Sequence, residues 1–169
     1  MTILVLGGTR SGKSGVAERL TDEAATGGAV TYVATAFVDD ADPDHVARIV
    51  AHQTRRPAAW HTVECGPSVD LVDALVSIDH TVIVDSLGTW LTQFDDLTPP
   101  VDRLVAAVAA REARALATVL VSEEVGLAVH PPSELGRRYV DAMGTLNQRV
   151  AAVADRCLLV VAGRTLELS

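Results

Sequence analysis

Lysine is all but missing from this chain. Lys13 stands alone beside thirteen arginines. A GTP-dependent switch of the usual kind reads guanine with an [NT]-K-x-D element, which needs a second lysine, so a typical switch is disfavoured by a residue count alone. Cysteine is scarce too. Cys65 and Cys157 lack metal-ligand spacing, which speaks against a zinc site or a disulfide scaffold and fits a reducing, cytoplasmic setting. Aromatics make up only 4% of residues, so the core must be built from small aliphatic side chains. Positive charge is in deficit, with a formal net charge of −8, which argues against a nucleic-acid binder working through a broad basic face. No apolar run approaches the roughly 20 residues that span a bilayer, and the N-terminus leads straight into a strand-like segment rather than a secretory signal.

What is present is an apolar chain, 49% hydrophobic with a mean hydropathy of +0.26, whose 169 residues suit one α/β domain. Strand-like and helix-like segments alternate. Strands are expected at Thr2–Leu6, Val30–Ala36, Trp60–Cys65, Thr81–Val84, Thr118–Val121 and Cys157–Val161, with Arg164–Leu168 as a candidate edge strand. Helical segments follow Ser14, run from Pro43 to about Arg56, and cover Val69–Val76 and Leu87–Leu91. A long helix runs from Pro99-Pro100 to about Ala115, and another from Ser133 to about Ala154, with Gly136 and Gly144 as weak points. This alternation predicts a mainly parallel sheet covered by helices on both faces, with its site at the carboxyl ends of the strands.

The solitary lysine has a specific setting. Gly7-Gly8-Thr9-Arg10-Ser11-Gly12-Lys13-Ser14 matches G-x-x-x-x-G-K-[ST], between an apolar strand and a segment with Val16, Ala17, Leu20 and Ala24 at helical spacing. Glycines let backbone N–H groups turn around phosphate oxygens, and the following helix points its positive end at them. Lys13 would reach the β- and γ-phosphates, and the Ser14 hydroxyl would ligate Mg²⁺. Val82-Ile83-Val84-Asp85 is an apolar strand ending in an acid, which makes Asp85 a second Mg²⁺ candidate near the loop; an ordinary strand-end turn is the alternative. These features predict the P-loop NTPase fold.

A third feature is Arg48-Ile49-Val50-Ala51-His52-Gln53-Thr54-Arg55-Arg56. On a helix, Arg48, His52, Arg55 and Arg56 share a face. Neighbouring cations favour neutral imidazole, which could attack phosphorus while the arginines stabilise the transferred group. A solvated helix histidine remains the alternative on these residues alone.

Taken together, these motifs resemble the bifunctional adenosylcobinamide kinase/adenosylcobinamide-phosphate guanylyltransferase family of cobalamin biosynthesis. The resemblance runs nearly end to end, through GGTRSGKS, TYVATA at Thr31, RI-x-x-H-x-x-x-RP-x-x-W from Arg48 to Trp60, T-x-E from Thr62 to Glu64 and VIVDSLGTWL at Val82. It continues through VSEEVGLAVHP at Val121, GTLNQ at Gly144 and the segment from Ala154 to Gly163. It implies that His52 carries a covalent guanylyl group and that the P-loop binds the phosphates of ATP and GTP. It further implies that Ala34, Thr35, Ala36, Gln53, Thr54, Arg55, Arg56, Glu64 and Asp85 or Ser86 belong to nucleotide-contacting segments. The implied partners are a corrinoid substrate, adenosylcobinamide and its phosphate, and further copies of the chain in a homo-oligomer, commonly a trimer.

Two positions depart from the family pattern. Glu123 stands where asparagine is frequent, and would repel phosphate unless it faced Mg²⁺ or solvent. The segment after Asp85 also varies, with Gly88-Thr89 where a larger side chain is common. The apolar loop from Val125 to Val129 suits either the corrinoid site or a packed connection. A different small-molecule P-loop kinase would share Lys13 and Asp85 but have no use for the His52 face. A recombination-type ATPase acting on nucleic acid would want the basic tract that this chain lacks.

Overall fold

The computed structural model describes residues 1–36, 56–66 and 68–169. Seven strands form one sheet: β1 (Thr2–Gly7), β2 (Val30–Ala34), β3 (His61–Glu64), β4 (Thr81–Asp85), β5 (Thr118–Glu123), β6 (Arg156–Val161) and β7 (Arg164–Leu168). Their order is β3-β2-β4-β5-β1-β6-β7. The first six run parallel, as the sequence anticipates, and the expected edge strand β7 returns antiparallel on β6. The two residues of the β6–β7 turn, Ala162 and Gly163, both have positive φ (52° and 73°), the geometry that a tight two-residue hairpin needs.

Five helices are described: α1 (Lys13–Ala25), α2 (Leu71–Ser77), α3 (Leu87–Leu91), α4 (Val101–Ala113) and α5 (Glu134–Ala151). Alternation along the strands divides the core. Ile3, Val5, Tyr32, Ile83, Val119 and Val121 pack with Val16, Ala17 and Leu20 of α1 on one face. Leu4, Leu6, Val82, Val84 and Leu120 pack on the other with Leu75, Leu91, Leu104, Val108 and Leu146 of the remaining helices. Both faces are covered, which is why the central strands read as unbroken apolar runs.

Several element ends differ from the sequence expectation, each for a local reason. Strand β2 stops at Ala34 rather than Ala36, because Thr35 turns its backbone N–H to Asp85 O (3.2 Å) and its hydroxyl to Ser86. Helix α2 starts at Leu71 rather than Val69, because the Asp70 carboxylate accepts from Val72 N and Asp73 N. Helix α5 stops at Ala151, since Val153 N and Ala154 N bond only three residues back, to Val150 O and Ala151 O. Gly144 lies inside α5 without breaking it. The helix expected from Pro43 to Arg56 falls almost wholly outside the described residues.

Arg111 on α4 is only 1% exposed, and the Asp79 carboxylate acts on it through charge, without a hydrogen bond among the described residues. Its guanidinium donates instead to Thr118 Oγ1 (2.9 Å) and to the carbonyls of Leu75 (3.0 Å), Ile78 (2.5 Å), His80 (2.6 Å) and Ala117 (3.4 Å). Burial pushes its pKa down to about 10, which leaves it cationic at neutral pH. One side chain thereby ties the end of α2, the approach to β4 and the start of β5 together at the sheet's amino edge.

Candidate nucleotide site at the carboxyl edge of the sheet

The carboxyl ends of the parallel strands bring Gly7, Glu123, Asp85, Ala34 and Glu64 to one rim. In register, Gly7 faces Glu123, Asp85 faces Val121, and Ala34 lies between Asp85 and Glu64. Strand β1 buries the first loop glycine, Gly7. A Cβ there would sit 2.5 Å from Ser11 Oγ and 2.9 Å from Val160 O. Gly12 precedes α1 with φ 93°, and its missing side chain lets the hairpin turn approach, where Gly163 N donates to Ser11 O at 2.8 Å. Thr9, Arg10 and Gly12 are exposed, Gly8 is half-buried, and Ser14 is buried in the first turn of α1. Ser11 Oγ is buried and has no hydrogen-bond partner among the described residues, which leaves a hydroxyl in the loop for a ligand.

Lys13 is 13% exposed in its side chain. Its ammonium lies 3.4 Å from Gly8 O and 3.5 Å from Glu123 Oε1. Glu123 is therefore turned neither wholly to solvent nor away from the loop: it meets the lysine. Its carboxylate also accepts from Ser86 Oγ at 2.9 and 3.0 Å and from Gly88 N at 2.9 Å. A Cβ on Gly88 would fall 2.0 Å from Glu123 Oε2 and 2.8 Å from Tyr139 Oη. The two departures from the family pattern are thus in contact, the glycine making room for the carboxylate. Burial and the charge on Glu123 push the Tyr139 phenol up to about 12.

Asp85 is one strand removed from the loop, because β5 lies between β4 and β1. At roughly 4.8 Å per strand spacing, β4 stands about 10 Å from β1. One Asp85 oxygen accepts from Tyr32 Oη at 2.6 Å. Burial first, and Asp85 second, hold the Tyr32 phenol far above its ordinary pKa, so it remains a donor. Ser86 caps α3 and is buried. Thr35 Oγ1 donates to Ser86 O (2.5 Å) and accepts from Ser86 N (2.8 Å), and it also contacts Thr89 Oγ1 (2.6 Å). Gln93 Nε2 reaches Thr35 O at 2.7 Å. Thr35 and Ser86 are thereby fixed to one another. Ala36 is half-buried beyond them, and Glu64 is exposed at the end of β3.

Arg56 is described, and its guanidinium lies 4.2 Å from the centroid of the Tyr32 ring. His52, Gln53, Thr54 and Arg55 lie outside the described residues, as does Arg48. The sequence reading left Tyr32 out of the site and saw Glu123 only as a departure. A carboxylate ending a buried strand, the pattern used to pick Asp85, would have selected Glu123 as well. Tyr32 falls inside the TYVATA match, but nothing in the pattern gave it a role.

No helix among the described residues is long and apolar enough to cross a membrane. In overall shape the chain is similar to the KaiC-like protein PH0186 of Pyrococcus horikoshii OT3, with a TM-score of 0.55 and 14% identity, covering 94% of this chain and 69% of that one. It is similar also to the flagellar accessory protein FlaH of Methanocaldococcus jannaschii, with a TM-score of 0.57 and 14% identity over 97% and 74%. These likenesses speak to the α/β fold alone.

Sequence relatives are much nearer. The bifunctional adenosylcobalamin biosynthesis protein CobP of Pseudomonas aeruginosa is 40% identical over 177 residues, spanning 99% of this chain and 97% of the relative. The bifunctional adenosylcobalamin biosynthesis protein CobU of Salmonella typhimurium is 36% identical over 180 residues, spanning 96% and 97%. With residues 3–168 matched by the model of the cobinamide kinase / cobinamide phosphate guanyltransferase family, and with relatives of this identity along nearly its whole length, the chain belongs to that family.

Proposed function

We propose that this chain carries out both reactions of its family. It would move the terminal phosphoryl group of ATP or GTP to the aminopropanol hydroxyl of adenosylcobinamide, and then transfer GMP from GTP to the resulting phosphate, giving adenosylcobinamide-GDP. The observation that carries this reading is the position of the only lysine. In a chain of this family, Lys13 sits partly buried at an intact glycine loop, in which the Ser11 hydroxyl has no partner among the described residues.

In the first reaction the loop amides, Lys13 and the positive end of α1 bind and orient the phosphates, so positioning and charge stabilisation supply most of the catalysis. A magnesium ion fits this rim. The candidate donors, Ser14 Oγ and the Asp85 carboxylate, are both oxygens, and Mg²⁺ is usually held by one or two protein groups together with substrate phosphates. When bound, it would neutralise charge developing on the phosphates.

In the second reaction His52 attacks the α-phosphorus of GTP, pyrophosphate leaves, and the phosphate of adenosylcobinamide phosphate then takes GMP from the histidine. Splitting the transfer in two is covalent catalysis, and imidazole leaves readily from phosphorus once protonated. Arg55 and Arg56 would stabilise the transferred group, and Thr35, Ala36, Gln53, Thr54, Glu64 and Ser86 would line the nucleotide. A single domain of 169 residues, working in the cytoplasm as a trimer that completes its corrinoid site between subunits, is part of the same proposal.

The test is intact mass after incubation with GTP and Mg²⁺ at neutral to alkaline pH, where a phosphoramidate survives. The wild type should gain one GMP, and His52→Ala should gain none. A folded, GTP-binding wild type that gains nothing would sink the guanylyl half and leave a small-molecule P-loop kinase.

A further inference from the structure

We propose that Tyr32 is a positioning residue shared by the two half-reactions, its hydroxyl fixing Asp85 for phosphoryl transfer and its ring seating Arg56 at the end of the guanylyl-histidine segment. The inference rests on the functional reading above and adds to it a residue that the family motifs leave without a role.

Tyr32 lies on β2 and is 1% exposed. Its two ends meet two different groups. At one end, the phenol donates to Asp85 Oδ2 at 2.6 Å, the length of a strong bond to a charged acceptor. Asp85 ends β4, and its carboxylate accepts this bond from a side chain of the neighbouring strand. At the other end, the ring face supports the Arg56 guanidinium at 4.2 Å, within the range of a cation–π contact. Arg56 Nε is buried with no hydrogen-bond partner among the described residues, and the ring lies against the guanidinium. Arg56 follows His52 by four positions. A tyrosine that merely filled the core would need any one acceptor for its hydroxyl. This one touches a residue assigned to each of the two chemistries, and the two contacts use separable parts of the side chain.

That separation makes the proposal testable with the full-length protein. Tyr32→Phe keeps the ring and loses the hydroxyl, whereas Arg56→Met removes the cation and leaves the tyrosine whole. Two single-turnover rates would be measured for each: formation of the GMP adduct from GTP, and phosphoryl transfer from ATP to adenosylcobinamide. Loss of an orienting partner typically costs ten- to a hundredfold, so Tyr32→Phe should shift the ratio of the two rates about tenfold in favour of guanylylation, and Arg56→Met about tenfold against it. Tyr32→Leu, which removes both contacts, should slow both reactions. Because Arg56 itself stands in the guanylyl machinery, the share of the ring is read from Tyr32→Leu against Tyr32→Phe, and Tyr32→Leu should guanylylate about tenfold more slowly. A guanylylation rate within about twofold between those two variants, or a ratio in Tyr32→Phe within about twofold of the wild type, overturns the shared role and leaves Tyr32 a core residue. Far-ultraviolet circular dichroism would establish that each variant is folded. Should Tyr32→Leu fail to fold, Tyr32→Met, which also lacks ring and hydroxyl, takes its place. A folded wild type that performs neither reaction overturns the functional reading itself, and this inference with it.

Discussion

Replacing Glu123 by glutamine should tighten nucleotide binding, contrary to the usual loss when a charged group at an active site is neutralised. The carboxylate lies 3.5 Å from the Lys13 ammonium and accepts from Ser86 Oγ and Gly88 N. A triphosphate arriving at Lys13 must share or displace that contact, and carboxylate–phosphate repulsion acts in the same direction. Two unit charges at this separation interact by about 5 kcal/mol at an effective dielectric constant of ~20. The pair is not sealed, at 13% and 23% side-chain exposure, and water in the open mouth screens it. A net effect of about 1.5 kcal/mol remains, equivalent to roughly tenfold in affinity. The assay is a calorimetric or fluorescent titration of ATP and GTP with and without Mg²⁺. The gain should be larger without the cation, which otherwise offsets the negative charge. Gly88→Ala provides an independent check. Its Cβ would stand 2.0 Å from Glu123 Oε2, the end of a flexible side chain, so it should push the carboxylate aside and reproduce part of the gain. Weaker binding in Glu123→Gln, confined to samples containing Mg²⁺, would refute the reasoning and assign Glu123 to the metal.

Two further outcomes concern stability. Arg111→Leu should lower it by about 3–5 kcal/mol, because the carbonyls of Leu75, Ile78, His80 and Ala117 lose a buried donor. Arg111→Lys should fail to restore it, since one ammonium cannot reach a fan of acceptors suited to a planar fork, and urea unfolding that places either variant within about 1 kcal/mol of the wild type would contradict this. Gly144→Ala, inside α5 where an added Cβ meets nothing within 4 Å, should stabilise by about 0.5–1 kcal/mol, read as a higher urea midpoint at unchanged slope.

Features set by neighbouring residues were legible in the sequence. The glycine loop between β1 and α1 was readable because its conformation depends on a short stretch, with glycine at the left-handed position before Lys13. The order of strands and helices followed from period and punctuation, down to the edge strand after Ala162 and Gly163, because alternation and turn chemistry are local. Asp85 was picked out from a buried strand that ends in an acid, whereas Ser86 entered only through the family resemblance.

Strand order was not legible, because it is set by which faces can be buried together and not by chain order. Placing β5 between β1 and β4 brings Glu123, rather than Asp85, to Lys13, and leaves Asp85 to be held by Tyr32. Glu123 and Gly88, thirty-five positions apart, could be seen as a matched pair only once Gly88 N and the carboxylate were in contact. Arg111 was one arginine among thirteen, and only the closing of α4 over the approach to β4 made it a buried hub of carbonyl bonds. The sequence by itself determined the P-loop, the alternating elements and the family. The tertiary structure decided which carboxylate answers the lysine, because side chains distant in the chain meet only when the sheet fixes their strands side by side.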